Sequence, residues 1–154
     1  MGDHTGSGLK SRISEDMKTA MRARDRQRLG AVRLILAEIK QREVDTRTEC
    51  SDQDIMGILD KMAKQRRDSM AQYERGGRED LVAQERFELE LITTYLPEAL
   101  SGEALERLIG AAISETQASA MKDMGKVMGV LRPQLLGRAD MAEVSKRVKA
   151  RLSG

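Results

Sequence analysis

Apolar residues recur every three or four positions along almost the whole chain, the spacing that puts them on one stripe of an α-helix. Leu9, Ile13, Met17 and Met21 follow one another in four-residue steps and predict a first amphipathic helix. Asp25 interrupts it. A second helix runs to about Val44, with Leu29, Val32, Leu36 and Ile39 as its buried stripe and Ala31 and Ile35 beside them. The polar segment from Asp45 to Cys50 breaks the pattern. Ser51 followed by Asp54 has the form of a helix N-cap with a carboxylate in the first turn. The long helix it opens carries Ile55, Leu59, Met62, Met70 and Tyr73, and Gly76-Gly77 stops it. A fourth helix extends from about Arg78 to Tyr95, with Leu81, Phe87, Leu91 and Ile92.

Leu96-Pro97 is the strongest boundary, because proline drives the residue before it out of helical conformation. Three shorter helices follow. Ser101 caps the first, whose apolar face is Leu105, Leu108, Ile109 and Ile113. The second spans about Asp123 to Leu136, with Met124, Val127, Met128, Leu131 and Leu135. Pro133 lies inside that span, so a kink or an early end is expected there. Gly137 closes the region. Asp140 and Glu143 together read as the cap of the last helix, whose inward residues are Met141, Val144, Val148 and Leu152. No stretch alternates as a strand does. The pattern predicts an all-α protein: a tail over residues 1–8, a four-helix N-terminal unit over 9–96, and a small three-helix bundle over 97–154.

Composition sharpens this picture. Apolar residues make up 40% of the 154, charged residues 34% and aromatics only 2%, so the core has to be aliphatic and methionine-rich. The net charge of +2 hides an uneven distribution. Residues 1–48 hold 11 Lys/Arg against 7 Asp/Glu, residues 49–97 hold 7 against 11, and residues 98–154 hold 9 against 7. Both ends are basic and the middle is acidic. The polar start has no apolar signal core, and the longest strongly apolar run, Leu34-Ile35-Leu36-Ala37, is far too short to span a bilayer. These features predict a cytoplasmic protein with no membrane partner.

Candidate chemistry is sparse. His4 is the only histidine and Cys50 the only cysteine, which leaves no disulfide and no zinc site. Cys50 falls at a helix start, where a thiolate can be stabilised, but it has no histidine base near it and reads as an ordinary cysteine. Ser119 and Lys122 have the Ser-x-x-Lys spacing, a short match that arises often by chance. Glu85 and Glu88 share a helix face and read as surface pairs with neighbours such as Arg86. There is no phosphate loop. The residues call for no catalytic site, metal or cofactor.

The helix from Asp123 is more informative. Gly125, Gly129 and Arg132 stand at i, i+4 and i+7 away from its apolar face, with Lys122 in line and Lys126 beside them. Each glycine costs a helix about 1 kcal/mol against alanine. Two on one stripe imply that something approaches the backbone closely. That is either a neighbouring helix or a sugar-phosphate chain held by the flanking cations. Arg138 lies just beyond. Lys146, Arg147, Lys149 and Arg151 add charge on the last helix, where a solvated face is the plainer explanation.

Met124-Gly-Lys-Val-Met-Gly129, then Pro133, then Gly137-Arg-Ala-Asp140, resembles the GatB/YqeY family. So do Tyr95-Leu-Pro97 with Leu100-Ser101, and Ala23-Arg-Asp25 with Leu29 and Leu34. The likeness covers about residues 9–152, in order and spacing, and is that of a stand-alone YqeY-type chain. It implies an N-terminal helical domain followed by a small three-helix domain of the kind that forms the tail of the GatB subunit of tRNA-dependent amidotransferases. There the tail contacts tRNA and the active sites lie elsewhere. The family is accordingly associated with carbon–nitrogen ligase activity using glutamine as amido-N-donor, although this sequence has neither the kinase-bearing domain nor an amidase subunit. Carried over residue by residue, Gly125, Lys126, Gly129 and Arg138 are candidate tRNA contacts. Met141 stands where many relatives have glycine. The leading expectation is a tRNA-binding helical module using Lys122, Gly125, Lys126, Gly129, Arg132 and Arg138. The alternatives are an accessory component of a glutamine-dependent amidotransferase, or a protein-interaction adaptor using the acidic middle.

Overall fold

The computed structural model describes residues 8–153. Seven α-helices and one 3-10 turn make up its regular structure, and the described residues contain no strand. The chain divides into two units between Leu96 and Pro97.

In the first unit α1 (Gly8–Arg22), α2 (Arg26–Thr46), α3 (Asp52–Arg75) and α4 (Glu79–Thr93) enclose one aliphatic core. Gly8, expected in the tail, is the first residue of α1; the rest of that tail, His4 included, lies outside the described residues. The α1–α2 turn is compact because Arg24 takes a left-handed conformation (φ 57°) and the Asp25 carboxylate accepts from the Arg28 N–H at 3.1 Å. Ser51 and Asp54 form a reciprocal capping box at the start of α3, as their spacing implies. Gly77, with φ 72°, turns the chain from α3 into α4.

The buried stripes differ in phase from the sequence reading. Met21 is 49% exposed, whereas Ala20 is buried. Four-residue steps gain roughly 40° per step on a 3.6-residue helix, so the fourth member of the series has rotated off the core while Ala20, seven residues after Ile13, has returned to it. In α2 the core lies on the side of Ile35, so Ala31, Val32, Ile35 and Ile39 are buried, while Leu29 and Leu36, about 100° or more round the helix from Ile35, are only partly covered. Tyr95 is buried. Its hydroxyl donates to Asp16, and Arg12 lies over its ring at 5.0 Å while donating to the Thr94 carbonyl at 2.9 Å.

The second unit holds α5 (Gly102–Thr116), the 3-10 turn Met121–Asp123, α6 (Met124–Leu135) and α7 (Met141–Ser153) around Leu105, Ile109, Val127, Leu131, Leu135, Val144 and Val148. Ser101 caps α5 through its hydroxyl, which accepts from the Ala104 N–H at 3.1 Å. Pro133 does not end α6 early: the helix continues through it to Leu135. A proline this close to the C-terminus removes a single helical hydrogen bond, and Leu131 and Leu135, both fully buried, hold the last turn in place. Gly137 (φ 79°) then reverses the chain. At α7 the expected two-residue cap is half realised. Asp140 accepts from the Ala142 N–H at 3.0 Å, but Glu143 turns outward to Arg147 at 3.2 Å.

Candidate nucleic-acid interface

α6 sorts its residues by face. Val127, Met128, Leu131 and Leu135 are buried, while Gly125, Lys126, Gly129 and Arg132 are exposed. The two glycines distinguish between the explanations for a bare stripe. A Cβ built on Gly125 or on Gly129 meets no atom within 4 Å. Among the described residues of the second unit no neighbouring helix packs against them, so within this bundle the stripe is not a helix contact.

Lys122 is exposed but belongs to the 3-10 turn, so it borders the start of the stripe instead of continuing its helical register. Between Lys122 and Lys126 sits Asp123, whose carboxylate accepts from the Ser119 N–H at 2.9 Å and the Ala120 N–H at 3.2 Å. The Ser119 amide, more than the nearby lysines, holds that carboxyl below its usual range. It fixes the loop entering α6 and sets one negative charge among the cations. Arg138 is set back from the stripe. It is half-buried, its carbonyl accepts from the Leu100 N–H at 3.0 Å, and its Nε is buried without a partner.

The structure adds an open groove of about 440 Å³ beside the stripe, lined by Met124, Gly125, Met128 and Arg132 of α6 and Met141, Ala142 and Ser145 of α7. The i, i+4 spacing of Met141 and Ser145 was readable, but their place opposite Gly125 depends on how α7 packs, which no local pattern encodes.

The cations of α7 separate into two kinds. Arg147 and Arg151 lie over α5, where Glu106 pairs with both, at 3.7 and 3.8 Å. A Cβ on Gly110 would come within 2.9 Å of Arg151 Nη1, so this glycine makes room for the guanidinium. Lys146 and Lys149 remain exposed.

The other candidates resolve into structural roles. The Cys50 thiol is buried 3.9 Å from the Ile39 carbonyl, and burial together with Glu43 and Asp54 pushes its pKa up, away from a reactive thiolate. Ser119 supplies its backbone N–H to Asp123, and among the described residues no hydrogen bond joins its hydroxyl to Lys122. Glu85 and Glu88 do not pair with Arg86. Both reach across to Arg66 of α3, at 3.5 and 2.9 Å. The described residues hold no group of three or more potential metal-ligating side chains, and none of their helices is long and apolar enough to cross a membrane.

A family profile described as "Yqey-like protein" matches residues 10–152. The chain belongs to the YqeY-like family. Its relatives include proteins named "Altered inheritance of mitochondria protein 41, mitochondrial". The one from Vanderwaltozyma polyspora is 39% identical over 85 residues, which are 54% of this chain and 46% of that protein. The one from Pyrenophora tritici-repentis is 29% identical over 141 residues, covering 90% of this chain and 77% of its own length. The chain thus spans about half the length of the first of these relatives. Their names place those proteins in mitochondria. YqeY-like membership also relates this chain to the tail of the GatB subunit, consistent with the glycine and Gly-Arg-Ala-Asp motifs of its second unit.

Proposed function

We propose that this YqeY-like chain is a tRNA-binding helical module whose contact surface is the outer face of α6. The observation that carries the reading is the open space over Gly125 and Gly129. Two helix-weakening residues stand on an exposed stripe with nothing among the described residues of their own unit to accommodate, and Lys122, Lys126 and Arg132 border it. Bare backbone flanked by cations suits a sugar-phosphate chain, which needs close approach and charge neutralisation. The near absence of aromatic side chains favours recognition by shape and phosphate contacts over stacking on unpaired bases. Arg138 supplies a fourth cation at the far end. The compartment we propose is the cytoplasm; the mitochondrial address belongs to the named relatives.

Binding through four cations gives a slope of log affinity against log salt of roughly −3, at 0.7–0.9 per contact. The test is filter binding of folded tRNA at low salt. Lys126→Glu with Arg132→Glu is the decisive pair, because both side chains are exposed and their reversal leaves the core untouched. Binding should be lost at unchanged helicity. A folded double variant that holds tRNA as tightly as the parent removes this face from the reading.

A further inference from the structure

α2 has a second, exposed face outside the core, bordered along one edge by shallow grooves against α4 (Phe87) and α3 (Lys61), where Gln41 donates to Asp45 at 2.9 Å. Its buried residues, Ala31, Val32, Ile35 and Ile39, lie on one side. On the other, Gln27, Gly30, Leu34, Ala37, Gln41 and Val44 follow in alternating steps of three and four, and all six are exposed. Leu34 is 45% and Val44 59% exposed, and a Cβ on Gly30 would meet nothing within 4 Å. At 3.6 residues per turn the six occupy an arc of about 100° opposite the core. This 3.5-residue spacing is that of a coiled-coil seam.

The charges beside the seam are segregated. Arg26, Arg33 and Lys40 run along one flank; Glu38 and Asp45 run along the other, after the buried Ala31. We propose that this face pairs with the same face of a second copy of the chain, the two α2 helices lying parallel. In a parallel pair each residue of the first flank meets the opposite flank of the partner five positions on. Arg33 then faces Glu38 of the second copy, and Lys40 faces Asp45 of the second copy, twice over by symmetry. An antiparallel pair would set cation against cation and carboxylate against carboxylate. The flank pattern therefore selects both a self-complementary partner and its direction. Leu34 meets its counterpart in the middle of the seam, while Gly30 and Ala37 allow the backbones to approach. With only two large apolar side chains from each copy, the association is weak and concentration-dependent.

Sedimentation equilibrium of the full chain from micromolar to millimolar concentration tests this. A monomer–dimer equilibrium is expected, and Leu34→Glu should abolish it. Arg33→Glu with Lys40→Glu should weaken dimerisation by at least about tenfold, through four lost pairs replaced by repulsion. Adding Glu38→Lys and Asp45→Lys should restore it. All five positions are exposed, so circular dichroism should report unchanged helicity in every variant. A monomer at every concentration overturns the proposal and leaves the face to a foreign helix. So does a dimer indifferent to Leu34→Glu, or a charge reversal that the opposite reversal fails to rescue.

Discussion

Single side chains carry unequal loads, and the pair on Arg66 illustrates it. Burial pushes the Glu85 carboxyl up, Arg66 only partly opposes it, and Glu88 adds to it. Glu88 is the nearer partner, at 2.9 Å. Glu85→Gln is therefore expected to leave thermal stability at neutral pH unchanged or slightly raised. Glu88→Gln should lower it by about 1–2 kcal/mol, by leaving Arg66 poorly paired. Thermal melts of the two variants check the asymmetry. The pH dependence has opposite signs at different carboxyls. Glu43 is held low, chiefly by the Cys50 amide and then by Lys10, and Asp54 chiefly by the Ser51 amide. Their contribution is fully present above the ordinary carboxyl range and fades as pH falls through their depressed values. Glu85 disfavours the fold while charged, and acid relieves it. Stability should thus fall toward acid pH overall, and Glu85→Gln should lose any advantage over the parent as pH falls through the raised Glu85 value.

At the scale of the element, α6 offers the cleanest separation of stability from function. Gly125 and Gly129 have room for a methyl group, and neither has positive φ. Gly125→Ala and Gly129→Ala should each stabilise the second unit by up to about 1 kcal/mol, seen as a raised unfolding midpoint in urea. A loss of stability would mean that the glycines serve packing after all. Gly129→Leu should fold and yet bind tRNA more weakly, because its bulk stands where the phosphate chain is proposed to lie. Much of this helix was legible in the sequence. The 3.6-residue period separated Val127, Met128 and Leu131 from the glycines, and Ser51 and Ser101 announced the caps they form. Other features depend on tertiary packing. Ala20 replaces Met21 on the core because stripes drift with helical pitch, and Arg66 takes Glu85 and Glu88 because α3 lies beside α4. Likewise, the α7 arginines are drawn onto α5 by Glu106, and only packing reveals that they are engaged while Lys146 and Lys149 are not.

For the whole molecule, the link between the units is the expected weak point. Residues 97–99 lie outside any helix and are exposed, whereas Leu100 is tied by its N–H to Arg138. Within the described residues, limited proteolysis should cut first between Leu96 and Leu100, and early cleavage inside α2 would contradict the division. If the α6 face takes a polyanion as proposed, the total charge says little about which one; the proline of α6 says more. Pro133 has no N–H to give, so the carbonyl four residues earlier, that of Gly129, lacks its helical donor. Gly129 is itself exposed, so in the proposed complex this acceptor would stand beside the donors Lys126 and Arg132. DNA backbone brings no donor to such a point, whereas every ribose brings a 2′-hydroxyl that does. A surface of lysines alone would not discriminate between the two; this one should hold an RNA hairpin in preference to a DNA hairpin of the same sequence, and replacing Pro133 with alanine should narrow the difference.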